Sequence, residues 1–271
     1  MERSEQEWAG LYQKVKNLVP VEIGEEAWYL IIAATLATSP ATSLLASFYT
    51  HLTTNDPSFS SEKSKRRLSL RLRDVLFKLI SLVGGPQVLC VLMPLAKAEG
   101  DVESKSRSST LNDKWRAEKM SVQTIYDRGV ETINRVYGVT LLPKIFDSWG
   151  SHKEDMKFNE IFVFYGLYLS DFEVMTPLET EAVVYSAISC LGLGGPGNWH
   201  LRGMGRLLGA RGKDDESEKI RRVKGQLMNL RQAVMSVVEF VGEEFVSRAK
   251  LEKWANVENM VREFGGWGDD E

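Results

Sequence analysis

The sequence predicts an all-α fold, on three observations. Apolar residues recur at steps of three and four through most of the chain, which is what one buried face of a 3.6-residue helix requires. No stretch repeats the Val/Ile/Thr alternation of period two that marks a half-buried strand. Cap and breaker residues fall at the ends of the periodic runs, with Thr176-Pro177 before one and Gly84-Gly85-Pro86 after another.

In order, residues 5–18 place Trp8, Leu11, Val15 and Leu18 at helical spacing and predict an amphipathic first helix. After Gly24, Glu25 and Glu26, the run AWYLIIAATLA predicts a buried helix, being Ala-rich and too long for a typical strand. Pro40 restarts the chain, ATSLLASFYTHL carries it to His51, and TTNDPSFSS has the turn chemistry of a loop. From Glu62 to Val83, Leu68, Leu72, Val75, Leu76, Leu79, Ile80 and Val83 form one stripe, with Lys65, Arg66, Asp74 and Lys78 facing elsewhere. A further apolar helix runs from Gln87 to about Ala98. The polar, Ser-rich stretch 99–112 predicts a mobile linker between two halves, 5–98 and 113–264, of one domain. Helical patterns resume over 113–137, ending at Tyr137-Gly138, then from Leu141 to Trp149 and from Phe158 to Leu169. Residues 177–212 predict helix, glycine-rich loop, helix, the second starting near His200. Beyond Asp214, Asp215 and Glu216, the positions Ile220, Val223, Leu227, Leu230, Val234, Val237 and Val241 make a stripe that is either core-facing or a subunit seam. Residues 251–264 predict a short last helix, and GGWGDDE a frayed tail.

Composition narrows the function classes. A net charge of −3 opposes nucleic-acid binding, which rests on clustered cations. The basic cluster Lys63, Lys65, Arg66, Arg67, Arg71 and Arg73 reads as a solvated helix face. No run approaches the roughly 20 apolar residues a membrane helix needs. The polar start MERSEQEW is unlike a secretory or mitochondrial leader, and two cysteines give no disulfide framework, so a reducing, cytoplasmic home is expected. Three histidines, with no CxxC, HExxH or paired-His spacing, leave little material for a metal centre, and no cofactor is expected.

The chemistry concentrates in Pro177 to Gly212. Two carboxylates, Glu179 and Glu181, stand in the first turns of an apolar helix, and His200 follows Glu181 by 19 residues. Gly192, Gly194 and Gly197 spell GxGxxG, the dinucleotide fingerprint, but that motif needs a strand ending in an acidic residue about 20 positions on, and GARGKDDESEKI has none. A tight interhelical turn explains these glycines more simply. A carboxylate beside an imidazole can shuttle protons near neutral pH. Tyr185 and Cys190 on the first helix and Trp199 beside His200 are candidate pocket residues, with core packing the plainer role for Tyr185 and Cys190. Arg202 is placed either to attract an anionic substrate or to form a surface salt bridge.

TPLETE, an apolar helix, a short turn and HLRG-x-x-x-x-L-G-A together resemble the AhpD-like/carboxymuconolactone decarboxylase superfamily, particularly its longer fungal-type members. The likeness is specific over residues 175–212 and looser over 20–100 and 120–170. It implies an AhpD-like helical fold, a homo-oligomer, and a pocket holding Glu181 and His200, which requires the turn between them to fold back. It also implies cofactor-free acid/base chemistry, decarboxylation or proton transfer, on a small organic acid or lactone. One departure matters: the dithiol of the peroxidase branch would fall on Leu193 and Pro196, so dithiol peroxidase chemistry is disfavoured. A peroxidase using Cys190 alone and a non-catalytic scaffold stand as the alternatives. The outline Glu25 or Glu26, apolar helix, His51-Leu52 is similar to that of Glu181, apolar helix, His200-Leu201, and points to a degenerate duplication with the catalytic copy in the second half.

Overall fold

A computed structural model describes residues 3–100, 120–268 and 270, and among them every regular element is helical. The predicted linker beyond residue 100 and the predicted helical start at 113–119 lie outside the described residues. The elements are α1 (Glu5–Leu18), α2 (Ala27–Thr38), α3 (Leu44–Asn55), α4 (Glu62–Val83), α5 (Gly85–Glu99), α6 (Val122–Asp147) and α7 (Lys153–Phe158). A π-helical segment, Asn159–Leu169, continues α7, and α8 (Pro177–Cys190), α9 (Gly194–Leu207), α10 (Glu218–Val241), α11 (Glu243–Ala249) and α12 (Val257–Phe264) complete the chain. No helix among the described residues is long and apolar enough to cross a membrane.

Side-chain pattern and capping explain the boundaries. Ser4 and Glu7 close a capping box on α1, Ser61 caps α4, and Ser217 caps α10. α2 is buried on every face, as its unbroken apolar run requires, and forms the centre of the main core. α8, α10, α1 and α4 pack around it. All seven stripe residues of α10 are buried in this core, which excludes the subunit-seam reading. Two expectations for α4 also change. Asp74 and Lys78 are buried and lie 3.3 Å apart, and Lys78 donates to the Asp171 carbonyl at 2.7 Å. Arg71 leaves the solvated face to pair with Glu179.

A second, smaller core lies between α6, the π-helical segment and the near face of α8. α6 is broken at Gly138, where φ is +74°, so the two helices predicted on either side of that residue run on through a kink. Where it is described, the tail predicted to be frayed is folded. Trp267 is wholly buried and donates its indole N–H to the Arg202 carbonyl at 2.8 Å, and Asp270 is buried against Arg202 and Arg206.

Candidate active site

The site is built on the α8–α9 hairpin. Thr176 and Glu179 form a reciprocal capping box and Pro177 takes the first position, which fixes where α8 starts. Glu179 is held in addition by Arg71 at 2.5 Å. Glu181, two residues on, faces α9 instead. The glycine-rich segment is not a loop: α9 begins at Gly194, so only residues 191–193 connect the helices and His200 lies inside α9 rather than at its start. An antiparallel hairpin then carries His200 back alongside Glu181. The fingerprint glycines serve packing: a Cβ on Gly194 would meet the Lys253 carbonyl and one on Gly197 would lie 2.9 Å from the Ala255 methyl. The helix α8, not a strand, precedes them, so the dinucleotide reading fails.

Glu181 and His200 are 2% and 5% exposed, and Oε2 of Glu181 lies 2.8 Å from Nδ1 of His200. Two residues that spacing did not single out extend the contact. Tyr165 donates its hydroxyl to the Tyr137 oxygen at 2.8 Å, and the Tyr137 hydroxyl lies 3.1 Å from Nε2 of His200. The Tyr137 proton is thereby directed to Nε2, which places the ring proton on Nδ1, donated to Glu181. Burial raises both phenols well above their ordinary pKa, so they stand as neutral donors.

Glycine contacts bring the tyrosines to this point. α6 and the π-helical segment approach backbone to backbone at Gly129 and Gly166, where a Cβ would strike the carbonyls of Ile161 and Ile125. α6 meets α9 at Gly203, against Val136. The kink at Gly138 immediately follows Tyr137, and the Arg206 guanidinium fills the space its side chain would need.

Tyr137, Tyr165 and His200 open onto a cavity of about 170 Å³. Ile133, Leu142, Ile145, Phe146, Val184 and Ile188 make most of its wall, with partly exposed Leu82, Trp149, Phe164, Pro196 and Trp199 at the rim. Glu160 also reaches it; burial lifts its carboxyl to about 7, against the opposing pull of His200. A carboxylic acid, a phenol pair and an imidazole backed by a carboxylate are an acid/base set in an apolar hollow.

Of the six residues selected from sequence, Glu181 and His200 come together and Trp199 lines the cavity. The other three do not line it. Tyr185 and Cys190 point into the main core on the opposite side of α8, and burial pushes both their pKa values up. Arg202 is neither an anion trap nor a surface ion pair: it is buried against Asp270, and also donates to the Gly266 carbonyl at 3.3 Å. The first half carries no second Glu–His pair. Glu26 accepts from Tyr29 and Arg67, whereas His51 bonds Asn55 at 3.1 Å and stacks on Trp8. Tyr137 and Tyr165 were hidden because they reach the site from 63 residues before His200 and 28 residues beyond Tyr137. Glu160 had one legible mark, a lone carboxylate at the head of the apolar run IFVFYGLYL. No protein-family model, curated protein or solved structure matches this chain.

Proposed function

We propose that the cavity is the active site of a cofactor-free acid/base enzyme of the AhpD-like/carboxymuconolactone decarboxylase type, moving a proton on a small organic acid or lactone. The observation that carries this reading is the chain Glu181–His200–Tyr137–Tyr165, hydrogen-bonded end to end in the wall of an apolar cavity. As the C–H bond of a bound substrate breaks, its proton passes to the Tyr137 oxygen. The Tyr137 proton moves to Nε2 of His200, and Glu181 stabilises the imidazolium that results. Tyr165 stays as donor to Tyr137, and Glu160, protonated near neutral pH, supplies a proton to the oxygen that gains charge.

The thiol alternative loses its chemical basis: Cys190 is wholly buried, away from the cavity, and burial keeps it a thiol. A homo-oligomer and a cytoplasmic location belong to the same proposal and rest on the resemblance and the composition. The test is deuterium incorporation from D₂O into lactones and 2- or 3-oxo acids, followed by proton NMR. Wild type should exchange a carbon-bound proton, and His200→Ala and Glu181→Gln should each slow exchange by about 10²-fold or more. Exchange that survives both substitutions would leave the scaffold reading in place.

A further inference from the structure

Within the site just proposed, we propose that the ligand is an uncharged, ring-sized carbonyl compound, a lactone or cyclic ketone, and that Glu160 is the residue that binds its carbonyl oxygen. This rests on reading the cavity as the active site, and it chooses between the two substrate classes that the resemblance leaves open.

The wall polarity carries the choice. Glu181, His200, Tyr137 and Tyr165 are already committed to one another. Among the described residues, the polar groups of the lining that remain without a hydrogen bond are the Glu160 carboxyl and the indole N–H groups of Trp149 and Trp199. An indole offers only a donor, and so does a protonated carboxyl facing a carbonyl, so the complementary ligand presents acceptors. Among the described residues, no lysine or arginine lines the cavity. Lys157 lies 5.9 Å from the Phe146 ring centroid, outside the lining. A ligand carboxylate would therefore be desolvated with no cation among the described residues to pair it. His200 offers a ligand carboxylate no free donor, since Glu181 occupies its Nδ1 and Tyr137 its Nε2.

Volume sets the size. A cavity of about 150 Å³ admits benzene, so about 170 Å³ takes one six-membered ring with an atom or two attached. Burial supports the donor role, holding the Glu160 carboxyl at about 7. The titratable groups that share the cavity with it are His200 from α9, Tyr137 from α6 and Tyr165 from its own segment; Glu181 stands behind His200, and Lys157 one turn before it over Phe146.

The experiment is calorimetric titration of the full chain with δ-valerolactone, cyclohexanone and cyclohexanecarboxylate at pH 6 and pH 8. The two neutral rings should bind at least tenfold more tightly than the carboxylate at pH 6. Their affinity should fall roughly tenfold by pH 8 as Glu160 loses its proton. Glu160→Gln, whose amide still donates, should bind the neutral rings equally at both pH values. Equal or tighter binding of the carboxylate overturns the proposal. So does an unchanged wild-type affinity between the two pH values, a Gln variant that keeps the fall, or absence of saturable binding by either neutral ring. Binding is read without turnover, so a chain that selects the lactone yet exchanges no proton would sink the acid/base reading and leave this one standing.

Discussion

Glu179 and Glu181 stand two positions apart, so they leave α8 about 200° apart, and each meets a different partner. Glu179 closes the capping box and pairs with Arg71, work that belongs to stability. Glu181 holds Nδ1 of His200. Glu179→Gln is therefore expected to lower unfolding free energy by about 1–3 kcal/mol while leaving proton exchange intact. For Glu181→Gln the expected order is reversed, and urea denaturation beside deuterium exchange separates the two. Glu160 adds a pH dependence. Its folded pKa, about 7, lies above the ordinary carboxyl value of 4.5, so the folded state binds more protons than the unfolded one between those values. Stability contributed by this group is thus full below about 4.5 and is lost as pH rises towards 7. Glu160→Gln should flatten that slope and make the variant more stable than wild type at pH 8, on the order of 2 kcal/mol given partial exposure. Parallel pH dependence of the two melting temperatures would remove the assigned role.

At the scale of elements, the decisive feature is where α9 begins. Three glycines and a proline between residues 194 and 197 read as a loop by propensity, because glycine is costly in a helix. Tertiary packing overrides propensity here, since residues 253–255 lie against Gly194 and Gly197, where a larger side chain would collide. The pairing of Glu181 with His200 was thus legible only through the resemblance, while the helical periods themselves were legible for α1, α4 and α10. The partners from α6 and the π-helical segment were not, because they depend on a close crossing that no local pattern records. A Cβ on Gly166 would lie 2.6 Å from the Ile125 carbonyl oxygen, a backbone atom that moves only with its helix. Gly166→Ala should therefore part α6 from the π-helical segment and lengthen the Tyr165–Tyr137 hydrogen bond. The expected cost is about 1–3 kcal/mol, with a loss of proton exchange larger than that of Gly10→Ala, a position with open space around it. Equal behaviour of the two variants would count against the crossing as the device that assembles the site.

At the scale of the molecule, α8 is the wall shared by two cores. Val183, Tyr185 and Cys190 face the main one, and Val184 and Ile188 face the smaller one that surrounds the cavity. α9 is braced from two sides in the same way, with Gly203 against α6 and Gly205 against the Trp267 ring. Sequence alone marked the last seven residues as a tail because GGWGDDE has no helical period and three glycines. Its one large apolar residue, however, fills a slot that a glycine on α9 leaves open. Trp267→Ala should cost about 3–5 kcal/mol and speed hydrogen exchange of the α9 amides selectively over those of α3. Asp270→Asn keeps an acceptor for Arg202 but removes the charge that balances two buried guanidiniums, so it should destabilise without opening α9 as widely. Because His200 sits on the braced helix and faces away from the tail, Trp267→Ala is expected to slow proton transfer only as far as α9 loosens. At a temperature where the variant is fully folded, a rate equal to wild type together with unprotected α9 amides would show that the brace serves stability alone.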